Sequence, residues 1–470
     1  MLDQTRCPGA GELRTILGER AEAGRKSFAL LGDVSRAHRR IKILEEDWGL
    51  QACQLDEDTV WLNKVGTYGV GSISYWWSRL ASGAVVRLGH YMAGRGSWVE
   101  ILMYVDDLLI LASSKEEIIF AGAFLLLISA LGIPMRWDKT RGGTSVEWIG
   151  LWLDLNKMAL GISLKRATWL ADWLEGQVKM GSTDLRDMAA VLGRMCFAMG
   201  PLEYTRPFIA PLFAWLSAAG MQGRRQLPWS VCYIMKTLAD MFRGDGRVEV
   251  VHPISADIGL AFRADAKAEG QLVVLGGWEC AGGTPPGKAR WFSVELTKKT
   301  APWAFSRGEP FRTIASLELY ATLLCIKVFG EVWPVGARGA LRLKGITDNL
   351  GNTFALTKLM SSKFPLVVIL GELAAQLKAR GMVLDLEWAP RDQNEEADAL
   401  TNRDFSAFSP ALRIDVKIED LKWLVLDDLL KSADQLYQEV RAMREKSATP
   451  GQASAPPALK RASLRQRDPW

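Results

Sequence analysis

The chain is predicted to be α/β: an α+β first part, a helical middle and a mixed-sheet domain after it. Three observations predict this. Short apolar runs that close on acids recur along residues 28–158, as in FALLGD and ILMYVDDLLIL, and such runs suit buried strands. Residues 165–245 turn to helical spacing, with amphipathic stretches at KRATWLADWLEGQV and DLRDMAAVLGRMCFAM. From His252 onward, stretches of strand and helix character alternate, which argues for a mixed sheet covered by helices. At 470 residues the chain exceeds one hydrophobic core, and the length prior gives about three domains.

The elements follow in order. FALLGD at 28–33 is a buried strand ending on an acid, and the text turns polar and basic from Ala37. Residues 65–80 (VGTYGVGSISYWWSRL) are glycine-rich and then helical. ILMYVDDLLIL at 101–111 reads as two short strands meeting in a hairpin at Asp106-Asp107, since Asp tolerates turn geometry. A helix is expected at 116–131, then the loop LGIPMRWDKT and one short strand near WIGLWLDL. Beyond His252, AFRADAKAEGQLVVLGGWEC offers two strands about a turn. Ile314, Leu317, Ala321 and Leu324 take helical spacing over 313–327. LRLKGITDN and VLDLEWAP are strands, NEEADAL begins a helix, and a last helix or two occupy 415–445.

Composition excludes several classes. The chain is 49% hydrophobic and 24% charged, which rules out a mainly disordered protein. Six cysteines lie far apart without a C-x-x-C pair, so neither a zinc site nor a disulfide framework is indicated. Three histidines are too dispersed for a His-based metal cluster. Lys446, Lys460, Arg461, Arg465 and Arg467 against Asp468 give the tail +4 of the net +5. A nucleic-acid surface must therefore be a local groove. That tail, 446–470, is rich in Ala, Pro and Ser and reads as disordered. The apolar run 118–133 ends at Pro134 and is short for a bilayer span. No signal pattern opens the chain, so a soluble, intracellular protein without a membrane partner is expected. Nucleus or cytoplasm stays open.

Two adjacent aspartates between apolar strands repel each other and lose solvation unless a cation neutralises them. A hard divalent ion is the economical partner for Asp106 and Asp107, and Asp33, closing its own apolar strand, supplies a third carboxylate. Two metals on such carboxylates clamp the attacking and leaving oxygens of a phosphoryl transfer. A solvated turn is the other reading of an isolated Asp pair.

The surroundings decide between them. Residues 28–158 resemble the palm of reverse transcriptases: Tyr104-Val105-Asp106-Asp107 matches the Y-x-D-D box and FALLGDVSRAH the first palm motif. VGTYGVGSISYWW, with Gly69, is similar to the glycine motif, LGIPMRWDKT to the following Lys-bearing segment, and WIGLWLD to the primer-grip strand. By this resemblance Asp33 and Asp106 hold two Mg2+ ions (Mn2+ as a substitute), and Asp107 assists. His38 stacks beneath the incoming sugar, and Lys139 protonates the pyrophosphate leaving group. Tyr104 and Gly69 shape the site. An ordinary surface histidine beside Arg39 and Arg40, and a solvated lysine, are the other readings of His38 and Lys139. The family places a fingers subdomain of about a hundred residues before the first palm aspartate, whereas residues 1–32 precede Asp33 here. They read as a remnant of fingers or a disordered N-terminus, with Arg14, Arg20, Arg25 and Lys26 as the available triphosphate-gripping residues.

Four more acids stand apart: Asp265 early in a strand, Glu318 inside a helix, Asp348 at a strand end and Asp398 at a helix start. RADAKAEG, IASLELYA, GITDN and PRDQNEEADAL make residues 251–412 resemble ribonuclease H. The resemblance implies that these four hold two Mg2+ ions against an RNA phosphodiester, with Asn394 positioning the loop or touching the hybrid. The loop ahead of Asp398, EWAPRDQNEE, lacks the histidine of the cellular enzymes, and Lys267 replaces a common serine. Between the two regions, DLRDMAAVLGRMCFAMGPLEYTRPFIAPLFAWL (184–216) resembles the thumb-to-connection stretch of the same polyproteins, where Arg194, Arg206, Arg224 and Arg225 would pair with the phosphates of a duplex. A solvated helical face is the other reading of these arginines.

The expected architecture is thus a right-hand polymerase palm (33–158), a helical thumb and connection (159–250), a ribonuclease H-like mixed-sheet domain (251–412) and C-terminal helices (413–445). The expected function is that of a retroelement RNA-directed DNA polymerase with ribonuclease H activity. Its partners would be an RNA template, a DNA primer, the RNA–DNA hybrid and deoxynucleoside triphosphates. Two alternatives stay open: a ribonuclease H-only enzyme with a truncated polymerase, and a catalytically dead or domesticated nucleic-acid-binding remnant.

Overall fold

The computed structural model describes residues 7–220, 222–306, 308–333 and 340–447. Most of the basic tail expected at 446–470 therefore lies outside the described residues, as do residues 1–6. The chain divides into two compact units, Met1–Ser163 with Val248–Val251, and Leu164–Arg247 with His252–Trp470. The expected break at 158/159 falls inside the first unit, because strand pairing continues to Ile162.

The first unit begins with helix α1 (Ala10–Glu22), strand β1 (Phe28–Asp33) and helix α2 (Gly71–Leu80). Strands β2 (Glu100–Tyr104) and β3 (Asp107–Ala112) form a hairpin, followed by helix α3 (Lys115–Ala130). The sheet order is β2-β3-β1 and then the short strand Arg141–Gly143. DLLILA alternates between two cores, as a pleated strand must. Leu108 and Ile110 pack with Phe124, Leu125 and Ile128 of α3, while Leu109 and Leu111 join Leu13 and Leu17 of α1. Both faces are covered, which is why the run reads as continuously apolar. The run at 118–133 does form a helix, α3, capped by Ser114, whose side chain accepts from the Glu117 backbone N. It is buried on one side only, through Ala121, Phe124, Leu125 and Ile128, while Ile119 and Leu126 are exposed, which corrects the expectation of a buried helix.

Two expectations are corrected here. The hairpin turns at Val105-Asp106, since Tyr104 and Asp107 already pair across the strands. A two-residue loop matches strand twist only with positive φ, and Val105 has φ 54°. The single strand expected near WIGLWLDL is instead a hairpin, β4 (Ser145–Trp148) and β5 (Leu151–Asp154). Ile149 and Gly150 both have positive φ there, 46° and 84°, as a type I′ turn demands. Strand β6 (Ala159–Ile162) and the strand Val248–Val250 extend that second sheet.

The second unit opens with four helices, α4 (Leu164–Met180), α5 (Leu185–Ala198), α6 (Arg206–Ala219) and α7 (Trp229–Phe242). The ribbon Ser182–Asp184 with Arg224–Gln226 interrupts them. There follow β7 (Ile254–Glu269), β8 (Leu272–Glu279), β9 (Trp291–Leu296), helix α8 (Ile314–Phe329) and β10 (Ala340–Thr347). Helices α9 (Leu350–Lys358) and α10 (Leu366–Arg380), strand β11 (Met382–Trp388), and helices α11 (Glu395–Thr401) and α12 (Leu426–Ser447) complete it. The sheet runs β9-β8-β7-β10-β11, antiparallel across β7–β8–β9 and parallel from β7 through β10 to β11. The sequence pattern missed β9, α9 and α10. In α10 nearly every position of LVVILGELAAQL is buried, so no polar stripe marks a helical period.

Candidate carboxylate sites

In the first unit, β1 and β3 set Asp33 and Asp107 directly opposite each other, and Asp106 occupies the turn. Several bonds fix that turn. The Val34 backbone N donates to Asp106 O at 2.9 Å, and the indole Nε1 of buried Trp77 donates to Val105 O at 2.7 Å. Trp77 therefore holds the β-branched residue in its unfavourable positive-φ conformation. Burial, then the neighbouring Asp106 and Asp33 charges, push the Asp107 carboxyl above its ordinary range.

Lys139 comes to this cluster: its Nζ lies 2.6 Å from Asp33 Oδ2. The approach is built locally, because the Arg136 backbone N donates to Asp33 O at 2.8 Å and the 3-10 turn Trp137–Lys139 follows. His38 is not a surface residue; it is buried, with Nε2 3.1 Å from Ser74 Oγ and its ring 5.1 Å from that of Tyr68. Gly69 has φ +91° with open space where a Cβ would point, so backbone conformation, not crowding, calls for glycine. Tyr104 is partly exposed at the end of β2.

Arg20 is corrected. It is buried, donates to Ser27 Oγ and Ser113 Oγ at 3.0 and 2.7 Å and also bonds Trp98 O. It ties α1 to the strand ends and cannot grip a triphosphate. Arg14 pairs with Glu249 at 3.6 Å, and the Arg25 guanidinium lies 5.3 Å from the Trp98 ring centroid.

In the second unit four acids approach one another from separate elements. Asp265 lies in β7, Glu318 in the second turn of α8, Asp348 just past β10 and Asp398 within α11. Two glycines of β8 bring the helices in. Gly276, the cross-strand partner of Asp265, sits where a Cβ would come within 2.8 Å of Leu400 Cβ in α11. The next residue faces the other way, and a Cβ on Gly277 would come within 2.5 Å of Cys325 Sγ in α8. Close packing on both faces of β8 is what lets the acids converge.

The side chains are held as follows. Thr401 Oγ1 donates to Asp265 Oδ2 at 2.8 Å. Asn402 Nδ2 donates to Asp398 Oδ2 at 2.7 Å, and Lys267 Nζ donates to Asn402 Oδ1 at 3.0 Å. Asn394, buried, donates from Nδ2 to Ala264 O at 3.2 Å and so anchors the start of α11 beside Asp265. Trp388 Nε1 donates to Asp348 O at 3.0 Å. Glu318 is 8% exposed, and burial, then Asp348 and Asp265, push its carboxyl up to about 8. Burial is also the main cause that raises Asp265 to about 6.

Whether these residues fit divalent ions turns on their buried oxygens. Glu318 Oε2 and Asp348 Oδ1 are buried without a hydrogen-bond partner. Two carboxylates in this position need a shared proton or a cation, and hard oxygen donors of this kind suit Mg2+. The second cluster therefore fits. The first fits less well, since Lys139 already neutralises Asp33. Among the described residues, no group of three or more His, Cys, Asp or Glu side chains is assembled to hold an ion as it stands. A cationic side chain sits against each cluster instead, Lys139 on Asp33 and Arg391 beside Asp348 and Asp398.

Of the four arginines expected along a duplex, Arg206 donates to Met199 O and Glu203 Oε1, and Arg194 lies 4.7 Å from the Trp169 ring centroid. Arg224 and Arg225 are exposed on their ribbon. Among the described residues no helix is long and apolar enough to cross a membrane. Sequence reasoning missed Trp77, Thr401, Asn402 and Arg391; only Arg391 carried a signal, as the one cation in the loop that lacks a histidine.

No protein-family model matches the chain, and no curated protein matches it. Among solved structures, the foamy viral protease-reverse transcriptase in complex with RNA/DNA hybrid aligns with 84% of this chain and 46% of its own length, at 14% identity and a TM-score of 0.38. The foamy viral protease-reverse transcriptase dRH in complex with double-stranded DNA aligns over 78% and 57%, at 13% identity and 0.39. Apo telomerase from Candida tropicalis, truncated from its C-terminal domain, aligns over 33% and 39%, at 10% identity and 0.28. The chain thus spans about half the length of the foamy viral proteins it matches.

Proposed function

We propose that the chain is a nucleic-acid enzyme with two phosphoryl-transfer sites. Asp33, Asp106 and Asp107 would serve RNA-directed DNA synthesis, and Asp265, Glu318, Asp348 and Asp398 would serve ribonuclease H cleavage of the hybrid. The observation that carries the reading is the pair of unpartnered buried oxygens, Glu318 Oε2 and Asp348 Oδ1, beside Asp265 in the middle of a five-stranded mixed sheet. A fold gains nothing from burying such carboxylates unless a cation or a proton joins them.

Asp265, Glu318, Asp348 and Asp398 would hold Mg2+, which supplies Lewis-acid stabilisation of the phosphodiester oxygens and an activated water. The chain's own contributions are positional. Thr401 fixes the Asp265 carboxylate, Asn402 fixes Asp398, and Asn394 fixes the loop between β11 and α11. In the first unit Trp77 aims the Asp106 turn, while Tyr104, Gly69 and His38 shape the floor on which a primer end and a deoxynucleoside triphosphate would lie. Lys139, once released from Asp33, would donate a proton to the departing pyrophosphate.

The 2.6 Å contact of Lys139 with Asp33 favours a second reading, in which the first site binds hybrid without polymerising. Primer extension on an RNA template and cleavage of an RNA–DNA hybrid, both with Mg2+ or Mn2+, separate the two. Asp106→Asn is expected to abolish extension alone, and Glu318→Gln to abolish cleavage alone. Cleavage without extension in the unaltered chain supports the second reading. Loss of both activities in either variant, with folding preserved, refutes independent sites.

A further inference from the structure

Arg391 is the residue of the second cluster that neither the fold nor the proposed chemistry accounts for. Its Nε lies 3.7 Å from Asp348 Oδ2 and 3.5 Å from Asp398 Oδ1. It therefore bridges two of the four acids at distances too long for strong hydrogen bonds. The side chain is 72% exposed, so its head is free to leave. The backbone beneath it is fixed. Arg391 opens the 3-10 turn Arg391–Gln393, whose Gln393 O accepts a bond from Arg263 and which runs into the buried Asn394. A rigid base thus carries a long, loosely held cation over two carboxylates whose neighbour, Glu318, keeps an oxygen buried and unpartnered.

We propose that Arg391 is a displaceable counter-cation. In the metal-free chain its guanidinium neutralises Asp348 and Asp398. When divalent ions take those carboxylates, the head is expelled and pairs with a phosphate of the bound hybrid, for which its planar donors are suited. One positive charge thus alternates between two anionic partners, so metal entry and phosphate capture are coupled. This rests on the ribonuclease H reading.

The test uses the full chain and two equilibrium measurements. Mn2+ binding is followed by electron paramagnetic resonance without nucleic acid, and the population lost in Asp348→Asn is assigned to this cluster. Arg391→Gln is expected to tighten that population about three- to fivefold, the scale of an exposed ion pair. The same variant is expected to weaken binding of an RNA–DNA hybrid in Ca2+ by a similar factor, and Arg391→Lys to stay close to the parent in Mn2+ affinity while losing part of the hybrid affinity. A merely structural role would not move the two affinities in opposite directions. Unchanged Mn2+ affinity in Arg391→Gln, with the population still lost in Asp348→Asn, overturns the inference and leaves the ribonuclease H reading standing. Unchanged hybrid affinity overturns phosphate capture. Mn2+ binding indifferent to Asp348→Asn overturns the ribonuclease H reading itself.

Discussion

In the metal-free protein, Glu318→Gln is expected to stabilise the second unit, and to do so more at pH 8 than at pH 5. The Glu318 carboxyl titrates at about 8 against an ordinary value of 4.5. Below pH 4.5 it is protonated both folded and unfolded, and its burial carries no pH-dependent cost. Between 4.5 and 8 the unfolded chain releases the proton while the folded chain keeps it, so stability falls with every unit of pH. At about 1.4 kcal/mol per unit the full difference is about 5 kcal/mol. Asp265, raised from 3.8 to about 6, adds to the fall at lower pH, but the two groups interact and their contributions do not sum. Gln keeps the shape, cannot ionise and still buries a polar amide, so a gain of about 2–4 kcal/mol at pH 8 is expected. Urea unfolding in EDTA at pH 5, 6.5 and 8 measures it. Stability profiles that run parallel in the two proteins, or a variant less stable at pH 8, would refute the account of Glu318 as an acid raised chiefly by its burial.

Two further outcomes follow from single contacts. Trp77→Phe removes the donor to Val105 O and is expected to cost about 1–2 kcal/mol; it should depress primer extension and leave hybrid cleavage unchanged, and equal loss of both activities would count against the clamp. Glu372 is fully buried and accepts bonds from the backbone N of Leu424, Val425 and Leu426, so it caps the start of α12 from α10. Glu372→Gln turns an amide N–H toward those donors and is expected to cost about 3 kcal/mol, read as faster hydrogen exchange along α12.

Much of the fold was legible because its signals are local. FALLGD, YVDD and LRLKGITDN announce strands that end on acids, and α8 declares itself by the spacing of Ile314, Leu317, Ala321 and Leu324. What stayed hidden depends on partners distant in sequence. Trp77 reads as one aromatic of a helix that follows a glycine-rich stretch until the fold sets its indole against Val105 O. Arg20 looks like any surface cation until the fold surrounds it with Ser27, Ser113 and Trp98. The pairing of β9 with β8 and the Gly276-Gly277 contacts that seat α11 and α8 join residues distant in sequence, and no periodicity encodes those. The acids of the second cluster could be named in advance. Arg391 stood out only as the one cation of its loop, and its contact with Asp348 could not be read, because the two meet only when β10 and the loop after β11 lie side by side.

Lys139 and Arg391 also rank the two clusters. Each is a cation on a short 3-10 turn that leans on the acids, but they are held differently. Lys139 makes a 2.6 Å contact with Asp33 and its side chain is 49% exposed, whereas Arg391 stays at 3.5 Å or more and is 72% exposed. Charge-assisted hydrogen bonds at the shorter distance are the stronger, so a divalent ion must displace a tighter competitor in the first unit. The second cluster also offers unpartnered oxygens, while the first offers three carboxylates of which one is already satisfied. Mn2+ titration should therefore fill the population sensitive to Asp348→Asn before the population sensitive to Asp106→Asn. Lys139→Met should narrow the gap by strengthening the first site. If the first population fills earlier in the unaltered chain, or Lys139→Met weakens it, then Lys139 supports ion binding there and does not compete with it.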